Sequence, residues 1–128
     1  MKKFLLIAIS IFCFHIVNAQ MMLTNETIFS GFVGKYEIRM KLAVPYGGAT
    51  SCLTLGEYYY TRNKGKIDLC ESDGGRIVES VKGKESGYFV LNGEWNKNIG
   101  QTISGTWYSM LNNKSFPVVL KVITKGKN

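Results

Sequence analysis

Histidine is almost missing from this chain, and its one copy, His15, sits within a leader-like segment. Once that leader is removed, no imidazole remains for general-base or metal work. Ser-His-Asp and Cys-His catalysis are thereby excluded, and no Cys/His spacing suits a metal. Helix-period stretches are lacking outside the leader, and proline is held to 2 copies. The apolar run Phe4 to Ile16 is too short for a bilayer-spanning helix, which needs about 20 residues. No later segment is free of charge for that long.

Carboxylates are what is left for catalysis. Asp68, Glu71 and Asp73 lie close in sequence, and Glu71 and Asp73 would share a strand face. They stand at a strand end beside a turn, where acidic side chains face water. A catalytic pair needs a concave, pKa-shifting setting instead. The chain therefore reads as non-enzymatic, with no cofactor.

The first residues form an address. Met1-Lys2-Lys3 is a positive start, Phe4 to Ile16 an apolar centre, and Val17-Asn18-Ala19 a small-residue cleavage signal before Gln20. Residues 1–19 are expected to be a signal peptide and 20–128 a single mature domain, secreted or periplasmic. Phe12 stands where lipoprotein processing at Cys13 would want a small residue. Without Lys2 and Lys3, the 16 basic side chains fall to 14 against 9 acidic, a net charge of +5. Such an excess favours an anionic envelope partner. The positives look dispersed apart from Lys121, Lys125 and Lys127, so no nucleic-acid footprint is expected.

Alternation is what the chain has in quantity. Tyr36, Ile38, Met40, Leu42 and Val44 fall on one strand face and Glu37, Arg39 and Lys41 on the other. Strands are expected at Thr27 to Val33, Tyr36 to Val44, Leu53 to Arg62, Lys66 to Glu71, Arg76 to Lys82, Tyr88 to Trp95, Thr102 to Met110 and Phe116 to Ile123. Turn signals punctuate them about every ten residues. Connections this short demand antiparallel neighbours. The expected fold class is all-β: a single antiparallel up-and-down barrel of about eight strands, lipocalin-like or avidin-like, with a seven-stranded β-sandwich as the alternative. Glycine precedes an aromatic by two residues at Gly34-Lys-Tyr36, Gly56-Glu-Tyr58, Gly93-Glu-Trp95 and Gly105-Thr-Trp107. Each glycine is expected to open a gap on its aromatic's face, as sharply bent barrel strands require. A membrane-spanning barrel is not expected, because the strands are short and no aromatic girdles stand out.

Gly34-Lys-Tyr36-x-Ile38-x-Met40-x-Leu42, Gly56-x-Tyr58-Tyr-Tyr60, Lys66-Ile67-x-Leu69-x-Glu71, Gly105-x-Trp107 and Lys114-x-Phe116-Pro117-x-x-Leu120 together resemble a group of small secreted bacterial β-barrel proteins. The resemblance spans most of the mature chain. The Gly-x-Trp element is also similar to one near the start of lipocalins and avidins. The resemblance implies a fold and an exported location, and no binding residue is carried over from it.

Cys52 and Cys70 survive removal of the leader, and an oxidising compartment favours joining them. A two-residue turn at Lys64-Gly65 would set Cys70 across from Tyr59. Cys52 would then lie roughly 23 Å farther along the strand, beyond the about 7 Å that a disulfide spans. The bond needs a folded-back loop or a different register; otherwise the two are buried thiols.

Tyr36, Tyr58, Trp95 and Trp107 are expected to point into the barrel, as candidate wall residues for a small apolar or amphipathic ligand. They could equally just fill it. Tyr59 faces the other way from Tyr58 and Tyr60 and, with Tyr46, is a candidate for contact with a protein partner. Two functional classes follow: a binding module with its ligand in the lumen, or an exported inhibitor or envelope adaptor that grips a macromolecule through its outer surface.

Overall fold

The alternation of Tyr36 to Val44 sets the second strand of a barrel in which seven further strands follow the same period. The computed structural model describes residues 22–46, 51–71, 74–95 and 97–125, the side chains of 22–25 and 46 excepted. The expected signal peptide, its Ala19 junction and Cys13 lie outside the described residues. The strands run β1 (Met22–Val33), β2 (Tyr36–Tyr46), β3 (Thr54–Tyr60), β4 (Ile67–Glu71), β5 (Ile77–Val81), β6 (Lys84–Leu91), β7 (Thr102–Ser109) and β8 (Ser115–Thr124). Each pairs antiparallel with its chain neighbours, and β8 returns to β1 through Gly31↔Leu120 and Val33↔Val118. The result is a closed up-and-down barrel. Closure leaves no unpaired edge, and this separates it from the sandwich. No helix among the described residues is long and apolar enough to cross a membrane.

Inward parity fills the barrel's middle. Phe29, Ile38, Met40, Leu42, Tyr58, Leu69, Phe89, Ile103 and Leu120 are fully buried there. An eight-stranded barrel is just wide enough for side chains to fill it, so this zone is a packed core.

The Gly-x-aromatic pairs divide into two kinds. Gly56 and Gly105 lie in strands, where a Cβ would overlap the carbonyl oxygens of Lys41 and Val90 on the neighbouring strands. These two permit the tight curvature. Gly34 and Gly93 instead have φ of +59° and +87° and belong to connections. Trp95 is accordingly not a β6 residue, contrary to the expected strand Tyr88 to Trp95. β6 stops at Leu91, and Trp95 sits half-buried in the connection 92–101, packed on the core from the far end.

The β3–β4 connection also departs from expectation. It spans 61–66 rather than a two-residue turn, because the Tyr60 carbonyl accepts from both Asn63 and Lys64. The register moves by four residues, and Cys70 pairs with Leu55 instead of Tyr59. A bend at Leu53, whose N–H donates to the Glu71 carbonyl, folds the chain back over β4. Cys52 and Cys70 then stand 5.3 Å apart at Cα and are bonded.

The bond closes a loop over a sequence separation of 18. Chain entropy alone gives it about 3 kcal/mol of stabilisation. The double variant Cys52→Ala/Cys70→Ala is expected to lose about that amount in urea unfolding. An unshifted midpoint would contradict the expectation.

Candidate functional site

In an up-and-down barrel every second connection lies at the same end. The connections 34–35, 61–66, 82–83 and 110–114 therefore crowd together, and there the packed core stops short of the rim. The space left is an open cavity of about 590 Å³, lined by Val33, Tyr36, Tyr60, Arg62, Asn63, Trp107 and Phe116. This volume lies within the roughly 300–1,000 Å³ typical of small-molecule sites. Its wall is mostly aromatic. Tyr36 meets the Tyr60 ring edge-on at 6.2 Å, and Trp107 stacks on Phe116 at 6.0 Å and 26°.

Beneath the cavity lies a buried carboxylate that the sequence reading did not single out. Glu79 of β5 is 5% exposed and points into the barrel. Its Oε1 accepts from the Tyr58 hydroxyl and from the Trp107 indole N–H at 2.7 Å, and its Oε2 accepts from the Ser86 hydroxyl. Ser86 reaches it because of a β-bulge: Glu79 pairs with Gly87 and Ser80 with Glu85, which leaves Ser86 as the extra residue. The bulge turns the side chain inward. Hydrogen bonds to an ionised acceptor are stronger than neutral ones, so the carboxylate and its donors hold each other in place. Among the described residues no cation pairs with Glu79, and no group of His, Cys, Asp and Glu is arranged to hold a metal.

Burial pushes the Tyr58 phenol far above its ordinary pKa, and the nearby Glu79 charge adds to the rise. Tyr60 is raised as well, again chiefly by burial. Both stay protonated at any physiological pH, so Tyr58 is a permanent donor to Glu79. Tyr58 also packs edge-on against Phe89 at 5.1 Å and against Tyr60 at 5.7 Å. A continuous column of rings thus runs from core to rim.

The expected wall residues separate. Tyr36 and Trp107 line the cavity. Tyr58 lies one layer deeper at 1% exposure, where it can touch Glu79 but not a ligand in the cavity. Trp95 is at the opposite end and has no part in the site. Tyr60, Arg62, Asn63 and Phe116 are added to it. Glu79 was legible in principle: in Ile77-Val-Glu79 it shares the parity of an apolar inward residue, and an acid there has to find donors inside.

Of the two surface candidates, Tyr59 faces outward. It lines a groove of about 230 Å³ on the outer wall with Ile28, Arg39, Met40, Lys41, Glu57 and Lys66. Tyr46 is described only by its backbone, at the end of β2. Since Tyr59 pairs with Arg39, Tyr46 stands seven residues, or about 23 Å, farther along. The two do not form one patch.

Comparison with protein-family models, with curated proteins and with solved structures finds no match to this chain.

Proposed function

We propose that this chain is a secreted, non-enzymatic binding module that holds a small apolar or amphipathic molecule in the aromatic cup at one end of its barrel. The observation that carries this is the cup itself, about 590 Å³ in volume and walled by Tyr36, Tyr60, Trp107 and Phe116. Those rings lose water when an apolar group enters, and the Glu79 hydrogen bond fixes Trp107 beforehand, so little ordering remains to be done on binding. Export is supported by the leader and by the Cys52–Cys70 bond, which belongs in an oxidising compartment.

The test uses the indole in the wall. In a Trp95→Phe background, Trp107 is the only tryptophan, excited apart from the tyrosines at the red edge of absorption. Titration with fatty acids, porphyrins and quinone-like compounds is expected to shift its emission saturably. Phe116→Glu puts a negative charge into the apolar mouth at an already exposed position and is expected to abolish the shift without changing the unfolding midpoint. A flat titration across these classes overturns the reading. A macromolecular or anionic envelope partner on the outer wall is the second reading, favoured by the groove around Tyr59 with Arg39, Lys41 and Lys66. Its weakness is that Glu57 already engages Lys66 at 3.3 Å and Lys41 at 3.7 Å.

A further inference from the structure

We propose that the molecule held in the cup is an anionic amphiphile whose head is received at the rim by Arg62, with its tail directed down onto Trp107. This rests on the cup being a binding site and adds the chemical class of the ligand and its orientation.

The basic residues that look dispersed in sequence are gathered by the topology. The connections at the cup end contribute Lys35, Arg62, Lys64, Lys66, Lys82 and Lys114, and they contain no aspartate or glutamate. At the other end the connections 72–76 and 92–101 carry Asp73 and Glu94 against Arg76 and Lys97 in sequence, and Lys125 follows β8 there, a net of one positive charge against six at the cup end. One mouth of the barrel is therefore strongly positive. A cleft with low-dielectric walls and charges of one sign concentrates the opposite charge.

Within that ring Arg62 differs from the others. Lys66 is drawn onto Glu57 at 3.3 Å on the outer wall, and Lys35 lies over the Tyr36 ring at 5.5 Å. Glu37, the acid nearest the β1–β2 turn, is held by Arg39 at 3.7 Å and by the Thr61 hydroxyl at 3.0 Å. Arg62 makes no ion pair among the described residues and lines the cavity directly. Its planar fork suits a carboxylate or a phosphate, which it can meet with two parallel hydrogen bonds. Beside it, Asn63 spends its Oδ1 on the Gly65 N–H, which leaves the amide nitrogen as a second donor at the rim.

The depth of the cup sets the orientation. Tyr58 and Trp107 have both committed their polar hydrogens to Glu79, so the floor offers a head group no donor. Glu79 also places a negative charge beneath it. An anion is repelled from below and attracted from above, so the rim is its favoured seat. The aromatic wall between Arg62 and Glu79 is left for the apolar part.

The experiment compares dodecanoate, dodecyl phosphate and dodecanol, each below its micellar concentration, by Trp107 emission in the mature Trp95→Phe protein with and without Arg62→Gln. Arg62 is in an exposed connection, so the variant is expected to keep its unfolding midpoint. The anions are expected to bind about tenfold more tightly than dodecanol at low salt, as one charge-assisted hydrogen-bonded contact implies. Arg62→Gln should remove about that factor for the anions and leave dodecanol unchanged, and added salt should weaken only the anions. A preference between carboxylate and phosphate assigns the head to a fatty acid or to a phosphate-bearing lipid. Equal binding of dodecanol, or anion affinity unaltered in Arg62→Gln, overturns the head-group assignment while the cup stands. No binding by any of the three overturns the cup as well. Sedimentation with phosphatidylglycerol vesicles without monomer binding would mean that the positive mouth meets a membrane surface, and it also overturns the proposal.

Discussion

Glu79→Ala is expected to lower the unfolding free energy by about 3–5 kcal/mol, as when one member of a buried charged network is removed. The reason lies less in the glutamate than in what it leaves behind. Tyr58 is fully buried, and its hydroxyl loses its acceptor in a place that water does not reach. A buried donor without a partner costs about 1–3 kcal/mol by itself. Trp107 and Ser86 are half-buried and lose the same acceptor, and the missing carboxymethyl group opens a void between them. Glu79→Gln keeps the volume and one acceptor oxygen, so its penalty should be smaller, about 1–2 kcal/mol. Urea unfolding followed by circular dichroism measures both. Equal midpoints for wild type and Glu79→Ala would show that the carboxylate is not the tie described here. The same variant frees the Trp107 ring, so it should also broaden or shift indole emission in the folded state.

Tyr58→Ala is expected to cost about 4 kcal/mol and Trp107→Ala about 2–3 kcal/mol, in that order despite the larger size of tryptophan. Truncation of a large core side chain loses its transfer free energy and adds a term for the cavity left behind. Tyr58 is enclosed on all sides, edge-on to Phe89 and Tyr60, so the whole ring volume becomes a void. Trp107 borders the cup on one face, and that face contributes no packing to lose. Tyr58→Phe isolates the hydroxyl and should cost about 1–1.5 kcal/mol, because Glu79 still keeps Trp107 and Ser86. Denaturation midpoints that place Trp107→Ala below Tyr58→Ala in stability would reverse the assignment of core and wall.

Much of the strand content is legible because a period of two is a local property. Tyr36 to Val44 announces its inner and outer faces residue by residue, and Ile103, Gly105 and Trp107 do so again. Trp95 shows how this fails. Leu91-Asn-Gly-Glu-Trp95 repeats the pattern of Ile103-Ser-Gly-Thr-Trp107, yet Gly93 takes a positive φ and ends the strand early. Glycine is compatible with both a bent strand and a left-handed turn, and spacing does not separate the two. The β3–β4 pairing is a second case. Asn63-Lys-Gly65 marks a turn correctly, but a few residues of loop length decide whether Cys70 meets Tyr59 or Leu55.

By itself the sequence determined that this is an antiparallel all-β chain with inward-facing rings, and that residues 20–128 contain no histidine to act as a base. Both follow from residue identity and from spacing between near neighbours. Closure of β8 on β1, the register that brings Cys52 to Cys70, the seating of Glu79 under Trp107 and the collection of Arg62 and the turn lysines at one mouth were decided only in the tertiary structure. Each depends on contacts between residues far apart in the chain. Their geometry is set by the common requirement that every strand be paired and every buried polar group find a partner.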